Sequence, residues 1–146
     1  MRGIVLRTKG FDTPDQEQQA KEMIESLLYA VPWWVRTLTV AYDPRPDDPD
    51  QVAGYEGHPS NQEVKIIISP LLYRLSPAEQ RATLMHEVAH ALRERTTIWI
   101  RDRVIPLLKE QNDALADFVM TEYEERMEEE VEGLAQTLLR NEQYGA

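Results

Sequence analysis

Hydrophobic residues recur at helical spacing early in the chain and at alternate positions further on. The helical stretch is predicted to begin at Pro14, after the capping residue Thr13, and to end near Tyr29. Two stretches of alternating, β-branched residues follow, and they predict strands over Val35–Tyr42 and Glu63–Ser69. The alternation implies that each strand buries one face and exposes the other.

The segment between these two strands, Asp43–Asn61, is rich in proline and acidic residues, which predicts a surface loop. A short strand around Val52–Tyr55 is expected within it. We expect this loop to be a solvated connection, and a loop that flanks a bound substrate is the alternative. After the second strand, Ser76 and Pro77 predict the start of a further helix that continues to about Arg93.

The C-terminal part is predicted to be helical from beyond Pro106 to about Leu139, as one long helix or as two consecutive helices. Its glutamate-rich stretch, Glu122–Glu132, predicts a helical face that is mostly solvated. A helix, a small antiparallel or mixed sheet and further helices indicate an α+β fold. The 146 residues fit one domain, so residues 1–146 are expected to form a single unit.

The amino-acid composition limits the classes of partner that this protein can be expected to bind. The 16 lysines and arginines against 26 aspartates and glutamates give a net charge of −10, which argues against nucleic-acid binding through the general surface. There is no cysteine, so neither disulfides nor thiolate metal ligands are available. No stretch approaches the ~20 apolar residues of a membrane span, and the N-terminal apolar patch is shorter than a signal-peptide core. We therefore expect a cytoplasmic protein without a membrane partner.

The sequence His86-Glu87-Val88-Ala89-His90 lies in the middle of the second predicted helix. Residues four apart on a helix are separated by ~40° around its axis, so both imidazoles can bind one ion. Glu87 lies beside them, where its carboxylate can take a proton from water without occupying the metal. A pair of ordinary core or surface histidines is the alternative. The capped helical context favours a metal site.

A catalytic zinc site needs three protein ligands. His58 is the only other histidine and lies in the predicted loop, so a later third ligand must be a carboxylate. On a helical wheel with Leu134 at zero, Glu130 lies ~40° away, inside the apolar stripe. Glu124 lies at the edge of the stripe, near ~80°, and is the alternative. The remaining glutamates are predicted to point to solvent: Glu125, Glu128, Glu129 and Glu132. Because a buried carboxylate is costly unless it is paired or binds a metal, Glu130 is the predicted ligand.

Two further side chains share the faces that carry this site. Tyr123 lies on the Glu130 side of the C-terminal helix, where a phenol could stabilise an oxyanion; the alternative is an amphipathic core tyrosine. Arg93 follows His90 along its helix. It could bind a substrate carboxylate, and an ordinary surface ion pair is the expected role. His58 is expected to be a plain loop residue.

The segment Arg81–Leu92 resembles the active-site helix of the gluzincin metallopeptidases. The later segment Glu130–Leu139 is similar to the second zinc helix of small bacterial and phage proteins of the ImmA/IrrE kind. The resemblance implies a zincin-like domain that holds Zn²⁺ through the two histidines and Glu130 and hydrolyses peptide bonds. It also implies that the strand before the active-site helix, Glu63–Ser69, forms the edge where an extended peptide docks.

The sequence therefore supports three hypotheses in order. The first is a zinc peptidase that acts on a peptide or protein substrate, with Glu87 as the general base and Tyr123 as an auxiliary catalytic group. The second is a zinc-binding regulatory or structural module that keeps the site, has little free activity and works with a regulatory protein partner. The third is an acidic helical interaction protein without a metal. Zinc content and cleavage of peptides separate them.

Overall fold

A four-stranded mixed sheet lies at the centre of the computed structural model, which describes residues 3–144. Its strands are β1 (Val5–Lys9), β2 (Thr37–Tyr42), β3 (Ala53–His58) and β4 (Glu63–Ile68). The order across the sheet is β1-β2-β4-β3, with β1, β2 and β4 parallel and β3 antiparallel to β4. The strand β4 is thus interior, and β3 forms an edge.

Four helices accompany the sheet. They are α1 (Pro14–Glu25), α2 (Pro77–Trp99), α3 (Ile105–Gln111) and α4 (Asp113–Tyr144). A 3₁₀ turn at Leu28–Ala30 follows α1, and a π-helical segment at Ile100–Val104 joins α2 to α3. The predicted α+β class is confirmed, with a mixed sheet and C-terminal helices. None of the helices among the described residues combines the length and the apolar character that crossing a membrane requires.

The predicted starts of the first two helices are confirmed by their caps. The Thr13 hydroxyl accepts the backbone N–H of Gln16 at 3.2 Å, and the Ser76 hydroxyl accepts that of Glu79 at 3.2 Å. Each bond satisfies an N–H that has no partner within its helix. The end of α2 was predicted too early, because the helix continues to Trp99.

Pro106 explains why the helix type changes between α2 and α3. A proline in a continuous helix clashes with the carbonyl four residues before it and donates no hydrogen bond. The π-helical segment widens the backbone just before Pro106, and the N–H of Ile105 reaches back to the carbonyl of Ile100. The α4 helix then starts anew, since the side chain of Asn112 accepts the N–H of Leu115 at 3.1 Å. Of the two predicted alternatives, separate consecutive helices are correct.

The helix α2 lies between the sheet and α4, and this placement sets up the site. Val64, Ile66 and Ile68 of β4 are buried, which confirms that they share one face. The core that they join also takes in buried residues of every longer helix: Ala20 and Ile24 of α1, Leu84, Met85 and Val88 of α2, and Val131 and Ala135 of α4. Burying a Val, Leu or Ile side chain stabilises by ~1.5–3 kcal/mol, so this shared core fixes α2 against both layers.

Candidate metal site

His86 and His90 lie on the side of α2 that faces α4. Their ring centroids are 5.1 Å apart with an interplanar angle of 74°. Both side chains are largely buried, with 23% of His86 and 15% of His90 exposed. Burial lowers the pKa of His90 and favours the neutral imidazole, which is the form that binds a metal.

Glu128 of α4 brings a carboxylate to both rings. Its two oxygens lie 3.4 Å from Nε2 of His86 and 3.2 Å from Nε2 of His90. Donor atoms of these three residues all lie within 4.8 Å of one another. Zinc bonds of ~2.0–2.1 Å in a tetrahedron place donors ~3.3–3.4 Å apart, a spacing that the two contacts of Glu128 match, while the group as a whole extends to 4.8 Å. The three residues therefore form a candidate metal site.

Glu132 lies one turn after Glu128 and contacts the other nitrogen of His86. Its Oε2 is 2.6 Å from Nδ1 of His86, while its Oε1 accepts a hydrogen bond from Gln136 at 2.9 Å. The Gln136 bond and then the His86 bond lower the pKa of Glu132, so the carboxylate stays charged. When Nδ1 donates to Glu132, the lone pair of Nε2 is left for a metal.

Glu130 does not join this group, and the prediction that it faces inward is wrong. Its side chain is 56% exposed, close to the 54% of Glu128, so contact and not burial separates the two glutamates: Oε2 of Glu130 lies 2.6 Å from the guanidinium of Arg93. The buried line of α4 runs through Val131 and Ala135, which places its centre near ~80° on the wheel referred to Leu134. Glu130 lies ~120° from that centre and Glu128 ~40° from it, while Glu124 lies at the centre but one turn before Glu128, where it is exposed. The apolar stripe was centred on the wrong residue.

The other candidates from the sequence lie outside the donor group. Glu124 is exposed, and the hydroxyl of Tyr123 lies 3.0 Å from Oγ1 of Thr97, about two turns beyond His90. Tyr123 thus joins α4 to α2 at a distance from the histidines. Its catalytic role stays a prediction, with a structural contact as its observed use. Arg93 makes the expected ion pair, with Glu130. His58 is exposed at the end of β3, not in a loop.

The side chains of Glu128 and Glu132 are each 54% exposed, as predicted, and the sequence reasoning missed that both also contact the histidines. Their spacing in the sequence could have indicated this contact. The two glutamates are four residues apart, as His86 and His90 are, and antiparallel helices can place two such pairs opposite each other. The histidine pair of α2 and the glutamate pair of α4 lie opposite each other here, because the small side chains of Ala135 and Val131 let the two helices pack closely.

Glu87 lines an open cleft beside His86, and Glu132 of α4 lines the same cleft. The residue is 8% exposed, and burial raises the pKa of its carboxyl to about 7. The cleft has a volume of 450 Å³. Its walls come from the loop before β3 and from α2 and α4: Asp48, Gln51, Val52, Ala53, Ala82, Thr83, His86, Glu87 and Glu132. A carboxyl with a pKa near neutrality can both accept and release a proton, as a general base must.

Within residues 3–144, β3 is an edge strand of the sheet, and its first residue, Ala53, lines the same cleft. The N–H of Ser69 bonds the carbonyl of Val52 at 3.1 Å, and antiparallel pairs alternate between bonded and non-bonded residues. The backbone groups of Ala53, Tyr55 and Gly57 therefore face away from β4, and the Ala53 carbonyl accepts a hydrogen bond from the Gln51 side chain at 3.4 Å. The sequence resemblance implied a docking edge at Glu63–Ser69, and this is wrong because β4 pairs with β2 and β3 on its two sides.

A scan against protein-family models and searches of curated proteins and of solved structures find no match to this chain. The geometry of the site is therefore the basis for assigning a function.

Proposed function

We propose that this protein is a zinc-dependent peptidase of zincin-like fold that hydrolyses peptide bonds in a peptide or protein substrate. The observation that carries the proposal is the convergence of His86, His90 and Glu128 beside a buried glutamate and a free strand edge. Two nitrogen ligands and one carboxylate are a donor set of catalytic zinc sites, which leave a further position open. We replace Glu130 by Glu128 as the third ligand.

Each part of the site has a separate task in this proposal. His86, His90 and Glu128 would hold the zinc, and a zinc ion bound there would supply Lewis-acid chemistry toward water and the substrate carbonyl. Glu87 accepts the proton of the attacking water and delivers it to the leaving amine. The backbone groups of Ala53, Tyr55 and Gly57 pair with an extended peptide, as edge strands do in β-augmentation. The cytoplasmic location expected from the sequence is part of the proposal.

The test combines metal content with cleavage of a mixed peptide library. We expect about one zinc per chain and cleavage by the wild-type protein. Glu87→Gln keeps the shape of the side chain but cannot accept the proton, so it should retain zinc and lose cleavage. Glu129→Gln is the matched control, since Glu129 is an exposed glutamate of α4. It should behave like the wild type.

Two other outcomes would each contradict the peptidase proposal. If zinc is retained and no peptide is cleaved by either protein, the chain is a zinc-binding regulatory or structural module, and a protein partner becomes the next object of search. If freshly purified protein holds no zinc and takes none up on titration, the third hypothesis, an acidic interaction protein without a metal, replaces both.

A further inference from the structure

Tyr55 of the edge strand β3 packs on the second histidine. Its ring stacks on the imidazole of His90 with a centroid distance of 5.5 Å and an interplanar angle of 17°. The contact covers a face of the His90 ring, whereas the ring of His86 is fixed at its edge by Glu132. The two histidines are thus held by different means, one by a hydrogen bond and the other by stacking.

The far end of Tyr55 lies beside a second residue of α2. Its hydroxyl is buried and faces the carboxyl of Glu94, one turn after His90 on α2. Burial, and then the neighbouring Glu94, raise the pKa of Tyr55, so the phenol remains neutral. Gly57 makes the space for this arrangement, because a Cβ there would lie 2.5 Å from the Tyr55 oxygen and 2.6 Å from the Glu94 carboxyl carbon.

The backbone of Tyr55 has a second relationship to the site. Its N–H and C=O face the open edge of β3, as the alternation of bonded pairs with β4 requires. The same residue therefore contacts His90 through its side chain and presents hydrogen-bonding groups to an extended chain. No other residue of β3 has a ring contact with a histidine of the site among the contacts described for residues 3–144.

We propose that Tyr55, whose hydroxyl faces Glu94, is a positioning residue. It orients the His90 imidazole for metal binding and fixes the edge strand relative to that ligand. This inference rests on the proposed zinc site. A ring stacked on the imidazole restricts its rotation, so less orientational freedom is lost when the metal binds. The backbone of the same residue then sets the distance between the carbonyl of a docked peptide and the metal ligands.

Zinc affinity is the first readout, and it needs no catalytic activity. Competition with a chromogenic chelator measures the dissociation constant of the wild-type protein and of three variants. Tyr55→Leu removes the ring and should weaken zinc binding about 10- to 100-fold, the range found for other groups that orient metal ligands. Tyr55→Phe and Glu94→Gln keep the ring but change the contact at its far end, and each should weaken binding measurably, though less than Tyr55→Leu does.

Tyr73→Leu is the matched control. Tyr73 is also a partly buried tyrosine, whose ring contacts Tyr42 and whose hydroxyl donates to the Gln16 carbonyl at 2.9 Å. This variant should lower thermal stability and leave the zinc dissociation constant unchanged. A second readout is the absorption spectrum of the cobalt(II)-substituted protein, which reports ligand geometry. Its visible bands should change in Tyr55→Leu and stay unchanged in Tyr73→Leu.

Wild-type zinc affinity in a folded Tyr55→Leu protein overturns the inference. If that variant does not fold, Tyr55→Phe and Glu94→Gln decide: unchanged affinity in both overturns it, and the expected loss supports it. Failure of the peptidase proposal gives a different result, since zinc binding would then respond to Tyr55 while the wild type cleaves no peptide. In an active wild type, Tyr55→Leu measured at saturating zinc should lower kcat more than it raises KM.

Discussion

His86 and Glu132 face each other across the interface of α2 and α4, with 2.6 Å between Nδ1 of the histidine and Oε2 of the carboxylate. The carboxylate fixes both the tautomer and the direction of the ring, which leaves Nε2 facing Glu128. The metal site thus has a supporting group on the helix that also supplies the third ligand. Four separate predictions follow from this interface.

Glu132→Gln should weaken zinc binding about 10- to 100-fold, because an amide supports the His86 imidazole less well than a carboxylate does. The measurement is a competition titration with a chelator. The control is Glu129→Gln, which removes the charge of a neighbouring exposed glutamate. An equal loss of affinity in the two variants would show that charge on α4, and not contact with His86, sets the affinity, and wild-type affinity in Glu132→Gln would contradict the supporting role of Glu132.

Glu128→Ala and Glu130→Ala should differ sharply in zinc content. Removal of a direct ligand should cost more than the ~100-fold found for supporting groups, so Glu128→Ala should be purified without zinc. Glu130→Ala loses an ion pair with Arg93 on the surface and should keep about one zinc per chain. Metal analysis of both proteins decides the question. The reverse result would restore Glu130 as the ligand.

Zinc should raise the melting temperature, because its ligands come from two helices that the unfolded chain does not hold together. At a free zinc concentration 100 times the dissociation constant the gain is about 2.7 kcal/mol. For a chain of this size we expect a rise of roughly 10 °C. Differential scanning fluorimetry with zinc or with a chelator measures it. The rise should be absent in Glu128→Ala and present in Glu87→Gln, and a rise of equal size in Glu128→Ala would contradict the site.

The part of the site that could be predicted from the sequence is the part set by local geometry. His86, Glu87 and His90 lie within two turns of one helix, so the helical repeat alone fixes their relative directions. The caps at Thr13 and Ser76 are equally local, and both are confirmed.

The third ligand could not be located in that way, because its identity depends on the rotation of α4 about its own axis relative to α2. Rotation of the helix by about one residue exchanges Glu130 for a neighbouring glutamate, and the direction is set by packing at Val131 and Ala135. An apolar stripe that also contains Leu134, Met127 and Leu138 is too broad to show which of its residues form the centre.

The order of the strands in the sheet could not be predicted from local pattern either. Alternation predicts that Glu63–Ser69 is a strand with one buried face, and Val64, Ile66 and Ile68 confirm it. Alternation does not say which strands lie beside it. The neighbours of β4 are β2 and β3, and β3 begins in a proline-rich segment whose strand could be predicted only in part, around Val52–Tyr55. The docking edge, and with it the contact of Tyr55 with His90, depends on that order.

Arg81 and Glu142 form an ion pair at the other end of the α2–α4 interface. Arg81 of α2 donates through Nε to Glu142 of α4 at 2.9 Å, and Tyr29 also contacts Glu142. The bond from Arg81 is the largest effect that lowers the pKa of Glu142. A carboxyl whose folded pKa lies below its unfolded value, ~4.3, stabilises the fold above that value and loses this contribution as pH falls through the folded pKa. Because the pair is partly exposed, the contribution at pH 7 should be below about 1 kcal/mol.

Urea denaturation of the metal-free protein between pH 7 and pH 3 measures this contribution. Glu142→Gln should be less stable than the wild type at pH 7, and the difference should shrink as pH falls through the folded pKa of the carboxyl. Glu129→Gln serves again as the control, and its difference from the wild type should be small at every pH. A Glu142→Gln deficit that stays constant down to pH 3 would mean that the side chain acts through packing. The contact with Arg81 would then hold the end of α4 by shape and not by charge.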